Sequence, residues 1–225
     1  MLKITSGMIK AFIECPQKYN LIYNNHIEIP SKNIESEIGK KIHALINYKY
    51  KNFAIDKITK NLIKPTNIEI KKLWDNFLTL NINKVEESEY TFDIQLETEI
   101  RLTGRIDALK KENEKYEILD WKTGKSENLS PENDFQTIVY LYSIYELLKT
   151  YKNFTKHENL SITYYFLKEN TSKTVTFSKE KYEQYKKELQ KICQEIKNSR
   201  GKYKKNQKKC SKCIYNIICQ ATYEI

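Results

Sequence analysis

Three side chains in one short stretch carry the clearest chemistry: Asp107, Asp120 and Lys122, within Gly104 to Gly124, which reads GRIDALKKENEKYEILDWKTG. Gly104 to Lys110 alternates like a half-buried strand, Glu112-Asn113-Glu114-Lys115 is a polar turn, and Tyr116 to Lys122 is a second strand. If Lys111 pairs with Tyr116 across a four-residue loop, Leu109 faces Ile118 and Asp107 faces Asp120. Side chains alternate with period two, so Asp120 and Lys122 then share a face with Asp107. Two carboxylates held together repel unless a hard divalent cation lies between them, and Mg²⁺ takes one or two carboxylates while keeping several waters. A lysine beside such an ion can orient a water and offset charge growing on a phosphate. The same residues on a solvated hairpin would be no more than a surface ion pair.

The cysteines mark a second centre. Cys210, Cys213 and Cys219 crowd the C-terminal end, in a C-x-x-C pair followed by a third thiol, while Cys15 stands near the N-terminus in Glu14-Cys15-Pro16. With five cysteines in all, a disulfide framework would be odd in number. Closely spaced soft thiolates are what Zn²⁺ or an iron–sulfur cluster needs. Cys15 is the natural fourth ligand, which would tie the two ends of the chain together. Cys193 falls inside an expected helix and reads as a small core residue.

The elements that must position these groups follow from periodicity and caps. Thr5 or Ser6 can cap a first helix expected to run to about Tyr23, and a second helix is expected from Glu35 to about Lys51. Residues 56–85 carry weak helical signals and no chemistry. Glu89 to Leu102 alternates like strands leading into the hairpin, for a sheet of at least three strands. A helix from Asp134 to Lys149 follows, with Gln136 and Tyr140 one turn apart on one face. Then come strands at Ser161–Leu167 and Thr174–Phe177, and a long helix from Lys179 to Lys197.

The 225 residues fit one domain, with a core over about 86–177 and cluster-binding elements at 1–23 and 200–225. The net charge of +10 and pI near 9.1 fit a polyanionic partner, or simply a lysine-rich soluble chain. The run Lys202-Tyr203-Lys204-Lys205-Asn206-Gln207-Lys208-Lys209 reads as a solvated linker or as phosphate contacts. No window approaches the roughly 20 apolar residues of a membrane span, and no signal-peptide pattern opens the chain, so a cytoplasmic location is expected. There is no G-x-x-x-x-G-K-[ST] loop to bind a nucleotide triphosphate.

G-R-I-D followed after a turn by I-L-D-W-K-T-G resembles the core of the PD-(D/E)XK nuclease superfamily, in particular its RecB-like branch. Ile106 stands where the superfamily name has proline, as is ordinary in that branch. Gly39 and His43 match a G-x-x-x-H helix, Gln136 and Tyr140 a Q-x-x-x-Y helix, and the four cysteines the [4Fe–4S] staple of a subset of these nucleases. The resemblance implies an α/β restriction-endonuclease-like core, a small mixed sheet flanked by helices, with the N- and C-termini joined by a four-cysteine cluster. It implies that His43, Asp107, Asp120 and the carbonyl of Trp121 hold Mg²⁺ or Mn²⁺, that Lys122 positions the attacking water, and that Gln136 and Tyr140 support the site. Cys15, Cys210, Cys213 and Cys219 would hold the [4Fe–4S] cluster, with zinc as the lesser alternative. The implied activity is hydrolysis of DNA, single-stranded or at ends, by an exonuclease rather than an endonuclease, in repair, recombination or CRISPR adaptation. Any helicase or CRISPR adaptation partner would be a separate polypeptide. A catalytically silent DNA- or protein-binding module of the same fold is the alternative.

Overall fold

The computed structural model describes residues 1–29, 34–53, 68–128, 130–199 and 201–221. Residues 56–67 of the weakly patterned middle segment, and 200 and 222–225 of the expected C-terminal cluster element, lie outside the described residues. Among the described residues no helix is long and apolar enough to cross a membrane.

A mixed six-stranded sheet forms the centre, ordered β1 (Leu2–Ile4), β3 (Ile100–Glu112), β4 (Lys115–Lys122), β5 (Leu160–Phe166), β6 (Thr171–Thr176), with β2 (Glu87–Glu97) also paired to β3. The hairpin register is the expected one: Leu109 pairs with Ile118 and Lys111 with Tyr116. Glu112 pairs with Lys115 as well, so the loop is two residues rather than four. Asn113 makes that possible by taking a left-handed conformation, φ 56°, which asparagine tolerates better than most residues. The sheet has more strands than the sequence minimum because β1, only three residues long, pairs parallel to β3 at Leu2–Ile100 through Ile4–Leu102. A strand so short leaves almost no periodic signal.

One edge of β3 carries β2. Along the other, β1 covers Ile100–Leu102 and β4 covers Ala108–Glu112, leaving the stretch from Thr103 to Asp107 without a strand beside it. Backbone groups on such an edge need other partners. That gap is where Asp107 lies.

Helices cover both faces. On one, α1 (Ser6–Glu14), α5 (Phe135–Lys152) and α6 (Lys179–Asn198) pack on Ile106, Leu109, Ile118, Ile162 and Tyr164. On the other, α3 (Ile34–Tyr50) and α4 (Ile68–Thr79) pack on Ala108, Leu119 and Trp121. Burial on both faces explains why β4 reads as the nearly continuous apolar run Ile118-Leu119-Asp120-Trp121. Trp121 meets Phe77 edge to face at 5.3 Å, worth about 1 kcal/mol beyond the area it buries. The α5 segment is the crossover that lets β4 and β5 run parallel.

The first helix does not run unbroken to Tyr23. It ends at Glu14; Cys15 is extended (φ −165°, ψ 113°), and a new short helix α2 (Pro16–Tyr19) continues into a π-turn over Asn20–Asn24. The cause is Pro16, whose ring disfavours helical geometry in the residue before it. The break leaves the Cys15 thiol at a corner rather than along a helix face.

Candidate active site

Two glycines set the distances at which the site assembles. A Cβ on Gly104 would lie 2.5 Å from the Phe92 ring, so only glycine lets that ring cover β3. On Gly39 a Cβ would come within 3.2 Å of Thr123 Oγ1, so glycine there lets α3 run close past the end of β4. One turn further along α3, His43 reaches β4: its Nε2 lies 2.8 Å from the Trp121 carbonyl oxygen, and its Nδ1 lies 3.2 Å from Asp107 Oδ1.

Asp107 uses its other oxygen to accept the Trp121 backbone N–H at 2.8 Å. The strand ladder stops one pair earlier, at Ala108–Leu119, so a side chain substitutes for a strand bond and holds the carboxylate against β4. Both His43 nitrogens therefore face oxygen atoms. Burial pulls the His43 pKa down, but the contacts with Asp107 outweigh it, and the net shift is upward. A cation is what this pocket favours.

Asp120 is buried, 2% exposed. Its Oδ2 accepts from the Gln136 side-chain amide at 2.7 Å, while Oδ1 lies 2.7 Å from the Lys122 ammonium. Apart from that ammonium, the buried Oδ1 has no hydrogen-bond partner. Burial first, and the charge of Asp107 second, push the Asp120 pKa up to about 6. Lys122 also donates to Gln136 Oε1 at 3.0 Å and lies 5.2 Å from the Tyr164 ring centroid. The Gln136 amide thus binds the acid with its NH₂ and the ammonium with its oxygen, fixing both.

Gln136 is placed by the start of α5. Asp134 caps that helix, accepting the Gln136 N–H at 2.6 Å, and is itself ion-paired with Lys10 of α1 at 2.6 Å. Tyr140, one turn on, sends its hydroxyl to the Arg105 carbonyl at 2.7 Å, in the strandless gap of β3. It holds the backbone that carries Asp107.

His43, Asp107, the Trp121 carbonyl, Asp120, Lys122 and Gln136 thus come together, from residues far apart in sequence. The sequence reading missed Glu89. It falls opposite Asp107 in the β2–β3 register, and donor atoms of His43, Glu89 and Asp107 lie within 4.8 Å of one another; Asp120 stands outside that group. Glu89 pairs with Arg105 at 2.6 Å, and burial raises its pKa. Its φ of +51° is unusual for a glutamate, and no local pattern in the sequence marks it.

The donors are an imidazole, carboxylates and a carbonyl oxygen, a set suited to Mg²⁺ or Mn²⁺. The burial of Asp120 and the mutual repulsion of the two aspartates are what such an ion would relieve, so the residues fit it.

Cys15, Cys210, Cys213 and Cys219 line one small cavity. None of the four is in a disulfide. The backbone N–H of Asn206 donates to Cys15 Sγ at 3.3 Å. Burial raises the Cys219 pKa, the neighbouring Lys205 lowers it, and the other three cysteines raise it further. Cys193 lies elsewhere, fully buried, its thiol pushed up to about 12 by burial.

A family profile for the PD-(D/E)XK nuclease superfamily matches residues 4–220, and the chain belongs to that superfamily. No curated protein matches it in sequence. The crystal structure of a "Putative exonuclease" from Eubacterium rectale aligns with 91% of this chain and 85% of its own, at 9% identity and a TM-score of 0.56, a likeness of fold. The structure of SSO0001 aligns over 96% of this chain and 95% of its own at 16% identity, but its TM-score of 0.37 carries no argument.

Proposed function

We propose that the protein is a metal-dependent deoxyribonuclease acting on single-stranded DNA or DNA ends, as an exonuclease. The observation that carries the reading is the buried Asp120, clamped beside Lys122 by Gln136, with the charges of Asp107 and His43 acting on it. His43, Asp107, Asp120 and the Trp121 carbonyl would hold Mg²⁺ or Mn²⁺, with Glu89 within reach of the same ion. Bound there, the ion supplies Lewis acidity toward the phosphate and lowers the pKa of water.

The chain's own residues do the rest. Lys122 places its ammonium beside the carboxylates, where it orients the attacking water and stabilises negative charge developing on the phosphate. Gln136 keeps Lys122 and Asp120 at fixed separation, so no reorganisation is needed as charge develops. Tyr140 acts at one remove, through the Arg105 carbonyl, to keep Asp107 in place.

For the thiols we propose a [4Fe–4S] cluster rather than zinc, supported by the four cysteines lining one cavity.

The test is cleavage of linear and single-stranded DNA by the purified protein with Mn²⁺. We expect degradation, arrest by EDTA, and a loss of about 10²-fold or more in Lys122→Ala with DNA binding retained. Full activity in the alanine variant would remove Lys122 from the mechanism. Absence of metal-stimulated cleavage on every end structure would favour a silent binding module.

A further inference from the structure

Away from the carboxylates, a cleft of about 680 Å³ opens between the first helices and the segment after α6. Its lining includes Tyr19, Tyr203, Asn20, Asn24, Lys202 and Lys204, with Leu2 and Ile196 as its apolar part and no carboxylate among the described residues that border it. The volume is ordinary for a ligand pocket. Its chemistry is specific: two exposed lysines, the half-buried ring of Tyr203 backed by the buried Tyr19, and side-chain amides.

The aromatic part is built, not incidental. Tyr203 takes a hydrogen bond from Asn24 Nδ2 at 2.8 Å and packs 6.0 Å from Tyr19, which in turn lies 5.4 Å from Tyr23. Gly201, with φ +78°, turns the chain out of α6 so that Lys202, Tyr203 and Lys204 run along the cleft. Lys202 and Lys204 are exposed while Tyr203 between them is half-buried. The segment is anchored at its back, where the Gln17 N–H donates to the Lys204 carbonyl at 3.2 Å.

Alternating cation, ring and cation over an amide-lined floor is how proteins hold single-stranded nucleic acid: phosphates on the lysines, bases against the rings, edges against the amides. We propose that this cleft is a nucleotide subsite for the single-stranded part of a DNA substrate, with Lys202 and Lys204 on consecutive phosphates and Tyr203 as the stacking platform. The proposal rests on the nuclease reading for its choice of ligand.

The experiment measures binding in EDTA, so that cleavage plays no part and failure of the nuclease reading is seen separately. Fluorescence anisotropy of a labelled dT12 oligonucleotide is recorded across a salt series for the wild-type protein, Lys202→Ala/Lys204→Ala and Tyr203→Leu. We expect the double lysine variant to bind about tenfold more weakly, with a slope of log K against log salt shallower by about 1.4, for two single-strand phosphate contacts. Tyr203→Leu should weaken dT12 binding by about tenfold at unchanged slope. Binding of a blunt duplex should fall by less than twofold in every variant. An unchanged slope in the double variant overturns the proposal, and because both lysines are exposed, misfolding does not confuse that result. Equal weakening for duplex and single strand would reduce the lysines to general charge and overturn it too, as would tighter binding of an oligo(U) probe than of dT12.

Discussion

Asp107 and Trp121 are joined by a hydrogen bond from the tryptophan backbone N–H to the aspartate carboxylate at 2.8 Å, at the point where the strand ladder between them stops. The same residue's carbonyl oxygen meets His43 at 2.8 Å. One residue of β4 therefore meets two of the proposed ligands, Asp107 through its N–H and His43 through its C=O. The arrangement is created by the strandless edge of β3, which frees Asp107 from the sheet face without freeing it from the sheet.

Asp120 should destabilise the metal-free protein. Its folded pKa is raised to about 6, above the usual value near 4 for an unfolded chain. A raised carboxyl pKa means that folding favours the protonated form, so the stability it gives is full below about pH 4 and is lost as pH rises through about 6. Asp120→Asn should therefore be more stable than wild type in EDTA at pH 8 by about 2 to 3 kcal/mol, and the advantage should vanish near pH 4. Thermal melts at both pH values decide it. A variant less stable at pH 8 would mean that the Lys122 contact outweighs burial.

Asp134 couples the N-terminal helix to the site, since it both caps α5 and pairs with Lys10. Asp134→Ala should cost about 1 to 2 kcal/mol and reduce the rate constant for cleavage several-fold, because Gln136 loses its backbone anchor. Asp134→Asn keeps a capping group and should recover most of the stability. Chemical denaturation alongside single-turnover cleavage separates the two effects; equal losses in both variants would assign the role to the Lys10 ion pair instead of the cap.

The thiol cavity should give a brown protein when it is purified without oxygen. We expect broad visible absorbance with iron and inorganic sulfide in the preparation, and a lowered thermal midpoint in Cys213→Ser, since a bound group adds its binding energy to folding. A colourless protein carrying zinc would contradict the iron–sulfur reading while leaving the carboxylate site untouched.

Much of this was legible in the sequence because strand and helix periods are local. The alternation around Asp107 and Asp120 fixes the hairpin register, and the spacing of Gly39 to His43 and Gln136 to Tyr140 is a helical turn whatever the tertiary setting. What the sequence hid was long-range or single-residue in origin. Glu89 joins His43 and Asp107 only through the β2–β3 register and a left-handed backbone that no glutamate advertises. The three-residue β1 has no period to detect, and the first helix, expected to run to about Tyr23, breaks at Cys15 because Pro16 follows it. The capping role of Asp134 was visible as a helix start, but its partner Lys10, from the far end of the chain, was not.

The most direct test of the central claim is an anomalous difference map from crystals soaked in Mn²⁺ at a pH near 8. We expect a peak within bonding distance of His43, Asp107, Asp120 and the Trp121 carbonyl, with the His43 ring released from its contact with that oxygen. A peak that touches only Glu89 or surface carboxylates, with Asp120 still held only by Lys122 and Gln136, would overturn the proposed site.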